Sequence, residues 1–145
     1  MTAHLTALFD SSVLIAASDA RHENYEASWP LLAAATPESC ACAAHALAEA
    51  YCILSVVRGG KRQRPEVALR LVEQIISKIT VISLTAQEYI EAIRGAAAGR
   101  IAGGTIYDTL HIACARKVDA ELIYTWNLRH FQLVAPDLAE RIRTP

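Results

Sequence analysis

The sequence lacks an excess of charge of either sign. Its 14 Lys and Arg stand against 15 Asp and Glu, for a formal net charge of −1 at pH 7. Strong nonspecific nucleic-acid binders usually carry a large positive excess that displaces counterions from phosphates. A meeting with nucleic acid here therefore needs a local basic patch or a bound cation. Gly and Pro are few, six and five, which excludes collagen-like and low-complexity classes. Polar bias is also missing: 53% of the residues are hydrophobic, too many for a disordered chain of low net charge. At 145 residues the chain has the size of one domain, spanning residues 1–145, with about two-thirds of its unfolded surface available for burial.

No secretory signal is expected, because residues 1–8 lack a charged segment followed by a long apolar stretch. The most membrane-like window, residues 39–57, carries Glu49 near its centre, at a cost of about 2.5–3.5 kcal/mol on insertion scales. A buried helix, no membrane contact and a cytoplasmic location are the expectation. Cysteines are four: Cys40, Cys42, Cys52 and Cys114. The Cys40-Ala41-Cys42 spacing is too tight for a zinc ribbon and no second pair follows, so reduced thiols in apolar surroundings are expected.

Apolar patterning predicts strands at residues 6–9, 38–43, 79–84 and 121–125, with a further short one at 133–134. Helices are predicted from Ser11 or Ser12 to residue 17 and over 23–35, 45–57, 65–77, 107–117 and 136–142. Another runs from the Thr85-Ala86-Gln87-Glu88 capping box to about residue 98. Residues 58–64 and 99–105 read as loops from their glycines and charges. Strands alternating with helices imply an α/β sandwich around a mainly parallel sheet.

Three carboxylates fall where burial is expensive. Asp10 ends the first strand, and ligands of open parallel sheets bind beyond strand carboxyl ends; a plain helix cap is the competing reading. Glu49 lies opposite a stripe of Leu47, Ala50, Tyr51 and Leu54, beside Ile53 and Val56. With both faces apolar, Glu49 is expected to point into a partly enclosed place, paired with a cation or with an arginine. Asp108 shares a helical face with His111, Ile112 and Ala115; complementing the helix dipole is its competing role. Asn127 follows the 121–125 strand and offers a neutral oxygen ligand or a turn residue. Oxygen ligands without a paired His or Cys favour Mg2+ or Mn2+, and a hard cation over clustered acids suggests phosphate chemistry. His111 and His130 are read as structural hydrogen bonders, and Trp29 and Trp126 as core or interface aromatics.

Four segments then carry a family resemblance. Phe9-Asp10-Ser11-Ser12-Val13-Leu14, Ala48-Glu49-Ala50, Ile106-Tyr107-Asp108-Thr109-Leu110-His111-Ile112-Ala113 and Thr125-Trp126-Asn127-Leu128-Arg129-His130-Phe131 resemble, in order and spacing, the four motifs of PIN-domain nucleases. The likeness is to VapC toxins of toxin–antitoxin pairs and covers nearly the whole chain. It implies a PIN-like α/β/α sandwich, Mg2+- or Mn2+-dependent endoribonuclease activity, a homodimer and a VapB-type antitoxin. It also implies that Asp10, Glu49 and Asp108 form the acidic cluster, with Asn127 in the fourth position, often Asp in the family. Ser12 and Thr125 match small hydroxyl positions beside it.

Arg58, Lys61, Arg62 and Arg64, with no acid among them, are candidate RNA contacts, as is Arg129; a solvated loop is the equal alternative for the first four. Two other functions compete. One is a noncatalytic RNA-binding or regulatory module of the same fold, disfavoured because a polyanion binder gains nothing from a negative pocket. The other is a phosphoacceptor domain with Asp10 as nucleophile, disfavoured because Ser12 stands where a second Asp is usual.

Overall fold

The computed structural model describes residues 5–58 and 61–145. The apolar run of β1 (Ala7–Phe9) stops at Asp10, which has extended backbone and caps α1 (Ser11–Ser18) by accepting from the Val13 amide. Then follow α2 (Tyr25–Ala34), the fully buried β2 (Cys40–Ala43) and α3 (Ala44–Leu54). A short antiparallel hairpin joins β3 (Val57–Arg58) to β4 (Lys61–Arg62). The second half runs α4 (Pro65–Lys78), β5 (Thr80–Ile82), α5 (Ala86–Ala98), α6 (Thr105–Lys117), β6 (Leu122–Tyr124) and α7 (Leu128–Val134). A 3-10 segment, Pro136–Arg141, leads into β7 (Ile142–Arg143). The Thr85–Glu88 capping box opens α5 as its spacing predicts.

Five strands form one sheet in the order β5-β2-β1-β6-β7, every pairing parallel. Side chains alternate across it: Ala7 and Phe9 face a core with α1 to α4, while Leu8 faces a second core with Ile112, Ala115 and Phe131. Both faces are covered, as a parallel sheet requires. The result is an α/β/α sandwich around a parallel sheet, as the alternation of elements predicts. The connection from β1 to β2 uses helices of the first core, and that from β5 to β6 uses α6 of the second. The winding therefore reverses between β1 and β6, and a crevice opens beyond their carboxyl ends.

Several expectations change. Residues 133–134 are helical, because Phe131 and Ala135 are fully buried four apart while Leu133 is 77% exposed; that is a helical period, not strand alternation. The last strand is instead Ile142–Arg143, overlapping the helix expected at 136–142 only at its final residue, and buried Ile142 pairs with Ile123. The loop at 58–64 contains the β3–β4 hairpin. Helix α3 stops at Leu54, short of residue 57, and α6 starts two residues early, at Thr105. Gly103 precedes α6 with φ +66, a left-handed conformation that favours glycine.

Candidate active site

Asp10 sits in the crevice between β1 and β6, 1% exposed. Its Oδ1 accepts from Ser12 Oγ at 2.6 Å and from the Val13 amide at 3.2 Å; its Oδ2 accepts from Thr125 Oγ1 at 2.8 Å. Three neutral donors do not replace lost water, so burial pushes the Asp10 pKa above 3.8 despite the nearby His111 and these hydrogen bonds. Thr125 is fully buried and also accepts from the Asn127 amide at 2.9 Å. Ser12 in turn accepts from the Trp126 amide at 2.9 Å, and the Trp126 indole donates to Ser28 Oγ at 2.9 Å.

Glu49 projects from α3, its side chain 37% exposed. Its Oε1 lies 3.1 Å from His111 Nε2 and 3.3 Å from His45 Nε2, while its Oε2 accepts from Ser11 Oγ at 3.1 Å. Desolvation is the largest single influence and opposes the charge, but the two imidazoles and Ser11 together outweigh it. The Glu49 pKa falls below 4.5. The partner is thus a pair of histidines, not the arginine weighed from the sequence. The helical stripe also differs: Ala46, Ala50 and Leu54 are buried, and Tyr51 is 40% exposed. Glu49 is half-buried at the edge of that face.

Asp108 stands in the first turn of α6 and is partly buried. Burial raises its pKa; the negative charges of Asp10 and Glu49 push it further up, against the pull of His111 and His130. Asp10 after β1, Glu49 on α3 and Asp108 on α6 thus lie within electrostatic reach of one another and of His111. His111, 1% exposed, faces all of them.

His111 is therefore interior as expected, yet it is not fully satisfied, since its Nδ1 is buried without a hydrogen bond. His130 is not an interior hydrogen bonder: its side chain is 68% exposed, and Nδ1 lies 3.7 Å from Asp108 Oδ2. Sequence reading missed His45. Its ring centroid is 4.2 Å from that of His111, and burial among these groups lowers its pKa to about 4. The available signal was the four-residue spacing of His45 and Glu49, which puts both on one helical face.

Asn127 is placed differently from the three acids. It is exposed at the start of α7 and reaches Asp10 only through its backbone bond to Thr125. With Ser12, His22, Asn24 and Trp126 it lines an adjoining cleft of about 320 Å³. Arg129 is exposed on α7, and Arg64 is exposed beside Glu66, 3.6 Å away. The side chains of Arg58, Lys61 and Arg62 lie outside the described part of the structure. Trp29 is 43% exposed and stacks on Tyr25. All four cysteines are free, and burial pushes the Cys42 thiol up to about 12.

The donor set suits a cation. Burial disfavours the ionised forms of both Asp10 and Asp108, and the charge of Asp10 adds to the penalty on Asp108; a divalent ion removes it. Oxygen donors on this side favour a hard ion. The expectation of no paired histidine is corrected, however: among the described residues, His45, Glu49 and His111 place one ligand atom each within 4.8 Å of one another. Among the described residues no helix is long and apolar enough to cross a membrane.

A family model described as the PIN domain matches residues 7–135. Among solved structures, the chain is similar to VapC20 of Mycobacterium tuberculosis, described as a sarcin–ricin loop cleaving toxin. That match has TM-score 0.68 and 20% identity, and it covers 84% of this chain and 90% of the other. VapBC of Salmonella typhimurium, solved bound to DNA, matches with TM-score 0.64 and 21% identity over 97% of each chain. VapBC2 of Rickettsia felis, bound to a fragment of its promoter, gives TM-score 0.60 and 19% identity over 89% and 93%. No curated protein matched by sequence.

Proposed function

The chain belongs to the PIN-domain family, and from that premise we propose that it is a divalent-metal-dependent endoribonuclease toxin of the VapC kind. The observation that carries this reading is the convergence of Asp10, Glu49 and Asp108 on His111 at the crevice between β1 and β6. The similarity to VapC and VapBC structures supports it at the level of fold. The proposal includes a cytoplasmic homodimer neutralised by a VapB-type antitoxin, with RNA as substrate.

Asp10 and Asp108 would hold Mg2+ or Mn2+, with Asn127 at the margin of the site. Such an ion neutralises charge on phosphoryl oxygens and lowers the pKa of a water. Ser12 and Thr125 fix both oxygens of Asp10, so that carboxylate needs no reorganisation when phosphate arrives. Glu49 is the ionised base that orients the attacking water, its carboxylate held by contacts with His111 and Ser11. Arg58, Lys61, Arg62, Arg64 and Arg129 would draw the RNA backbone towards the crevice.

The test is cleavage of cellular RNA by the purified chain with Mg2+, Mn2+ or EDTA, beside the Asp108→Asn variant. Metal-dependent cleavage that EDTA and Asp108→Asn each abolish is expected. Undiminished cleavage by the variant, or none by the wild type with either metal, would defeat the reading.

A further inference from the structure

His45 is absent from the mechanism above, yet its ring is set up as a ligand. Its Nε2 is buried without a hydrogen bond, although Glu49 Oε1 is only 3.3 Å away. The ring centroid lies 6.4 Å from that of Tyr107 on α6. In the neutral imidazole with its proton on Nδ1, Nε2 carries a free lone pair that can take a metal ion.

The geometry around that lone pair is that of a coordination edge. Glu49 Oε1 is 3.3 Å from His45 Nε2 and 3.1 Å from His111 Nε2. A tetrahedral ion with bonds of about 2.0–2.2 Å spaces its ligand atoms about 3.3–3.6 Å apart, and the three atoms here all lie within 4.8 Å of one another. Two of the three ligands sit four residues apart on one rigid helix, and the third is locked in the core by α6. Glu49 Oε2 is held separately by Ser11. Two imidazoles and one carboxylate suit Zn2+ far better than Mg2+, which prefers oxygen.

We propose that His45, Glu49 and His111 form a second cation site, selective for Zn2+ or a similar borderline divalent ion, beside the aspartate site and sharing Glu49 with it. Occupancy engages the carboxylate that orients water, so Zn2+ acts as an inhibitor of whatever chemistry the aspartates support. The binding claim itself holds whether or not the chain cleaves RNA.

The experiment titrates the EDTA-treated full chain with Zn2+ against a chromophoric chelator in excess Mg2+. Wild type, Asp108→Asn and His45→Ala are compared, with folding checked by circular dichroism. His45 lies nearer the surface than His111, so its variant carries the test should His111→Ala fail to fold. One equivalent of Zn2+ is expected, unchanged by Asp108→Asn and weakened at least tenfold by His45→Ala. Cobalt substitution gives a second readout: visible absorption of four-coordinate Co2+ in wild type, lost in His45→Ala. No Zn2+ uptake in excess Mg2+, or uptake indifferent to His45→Ala, overturns the proposal. Equal weakening by both variants also overturns it, since that means one mixed site and not two.

Discussion

Asp10 and Glu49 carry the same charge into the same crevice and are treated in opposite ways. Asp10, at the strand end, is buried under two hydroxyls and one amide, and its ionised form is disfavoured. Glu49, on the helix, is half-buried between two imidazoles and a serine, and its ionised form is favoured. One carboxylate is left wanting positive charge from outside the protein. The other already has its partners. In the proposed mechanism the strand-end half would take the catalytic cation, and the helical half keeps a carboxylate ionised. Asp108 belongs with Asp10, since burial and both other acids raise its pKa.

The sharpest way to break this division is to remove the charge on the strand-end side. Asp10→Asn and Asp108→Asn should each lower RNA cleavage on the order of 10²–10⁴-fold while the circular dichroism spectrum stays that of the wild type. Glu49→Gln should lower turnover as much yet leave Mg2+ affinity less affected than Asp108→Asn does, as calorimetry would show. Equal loss of Mg2+ affinity in all three would erase the distinction. Thr125→Val tests the cradle: it leaves Asp10 Oδ2 and the Asn127 amide short of a buried partner, at about 1–3 kcal/mol of unfolding free energy, read by denaturant titration.

Acidity separates the two halves without mutation. The folded pKa values of Asp10 and Asp108 are raised above 3.8, so just above that pH the folded chain binds more protons than the unfolded one. Their contribution to stability falls as pH rises through the folded values and is flat beyond them. His45 runs the other way. Its pKa drops from 6.5 to about 4, so the unfolded chain binds the extra proton in that interval and stability rises with pH across it. Glu49, lowered from 4.5, contributes stability that is lost as pH falls below that value. Thermal melts of His45→Gln should lose the rise between about pH 4 and 6.5, and those of Asp10→Asn should lose the opposing fall. Mg2+ at a hundredfold excess over its Kd should add about 2.7 kcal/mol at neutral pH, and much less in Asp10→Asn. The smallest effect is expected at the hairpin. Charge reversal of Lys61 and Arg62 should weaken RNA binding and flatten the plot of log affinity against log salt by about one to two units; an unchanged slope would remove the hairpin from the RNA path.

Much of the frame was legible in the chain. Alternation of short β-rich runs with helical periods gave the parallel sandwich, because parallel strands demand covered faces. Asp10 could be placed from the abrupt end of an apolar run, and Asp108 from its position in a helix with Ile112 and Ala115 inward. The shortest elements were not legible. Ile142 and Arg143 are too few to show a pattern, and their pairing is decided by Ile123 across the sheet. Leu133 and Val134 look like a strand until Phe131 and Ala135 reveal the spacing of a helix. At the site, a single helix turn separates His45 from Glu49, but their closeness to His111 depends on α3 and α6 meeting across the fold. Tyr51 was misplaced for a similar reason: periodicity gives the angle of a stripe, and only packing chooses which stripe turns inward.

The hydrogen bond from Thr125 to Asp10 joins positions 115 residues apart, and the Thr125 amide is itself pinned to the Arg143 carbonyl at 2.9 Å. A chain growing from its amino end makes the aspartate first and its clasp far later. Until residue 143 has been added, β7 cannot pin that threonine. The hold on that Asp10 oxygen thus draws on three distant stretches of the chain and is complete only when all three are folded together.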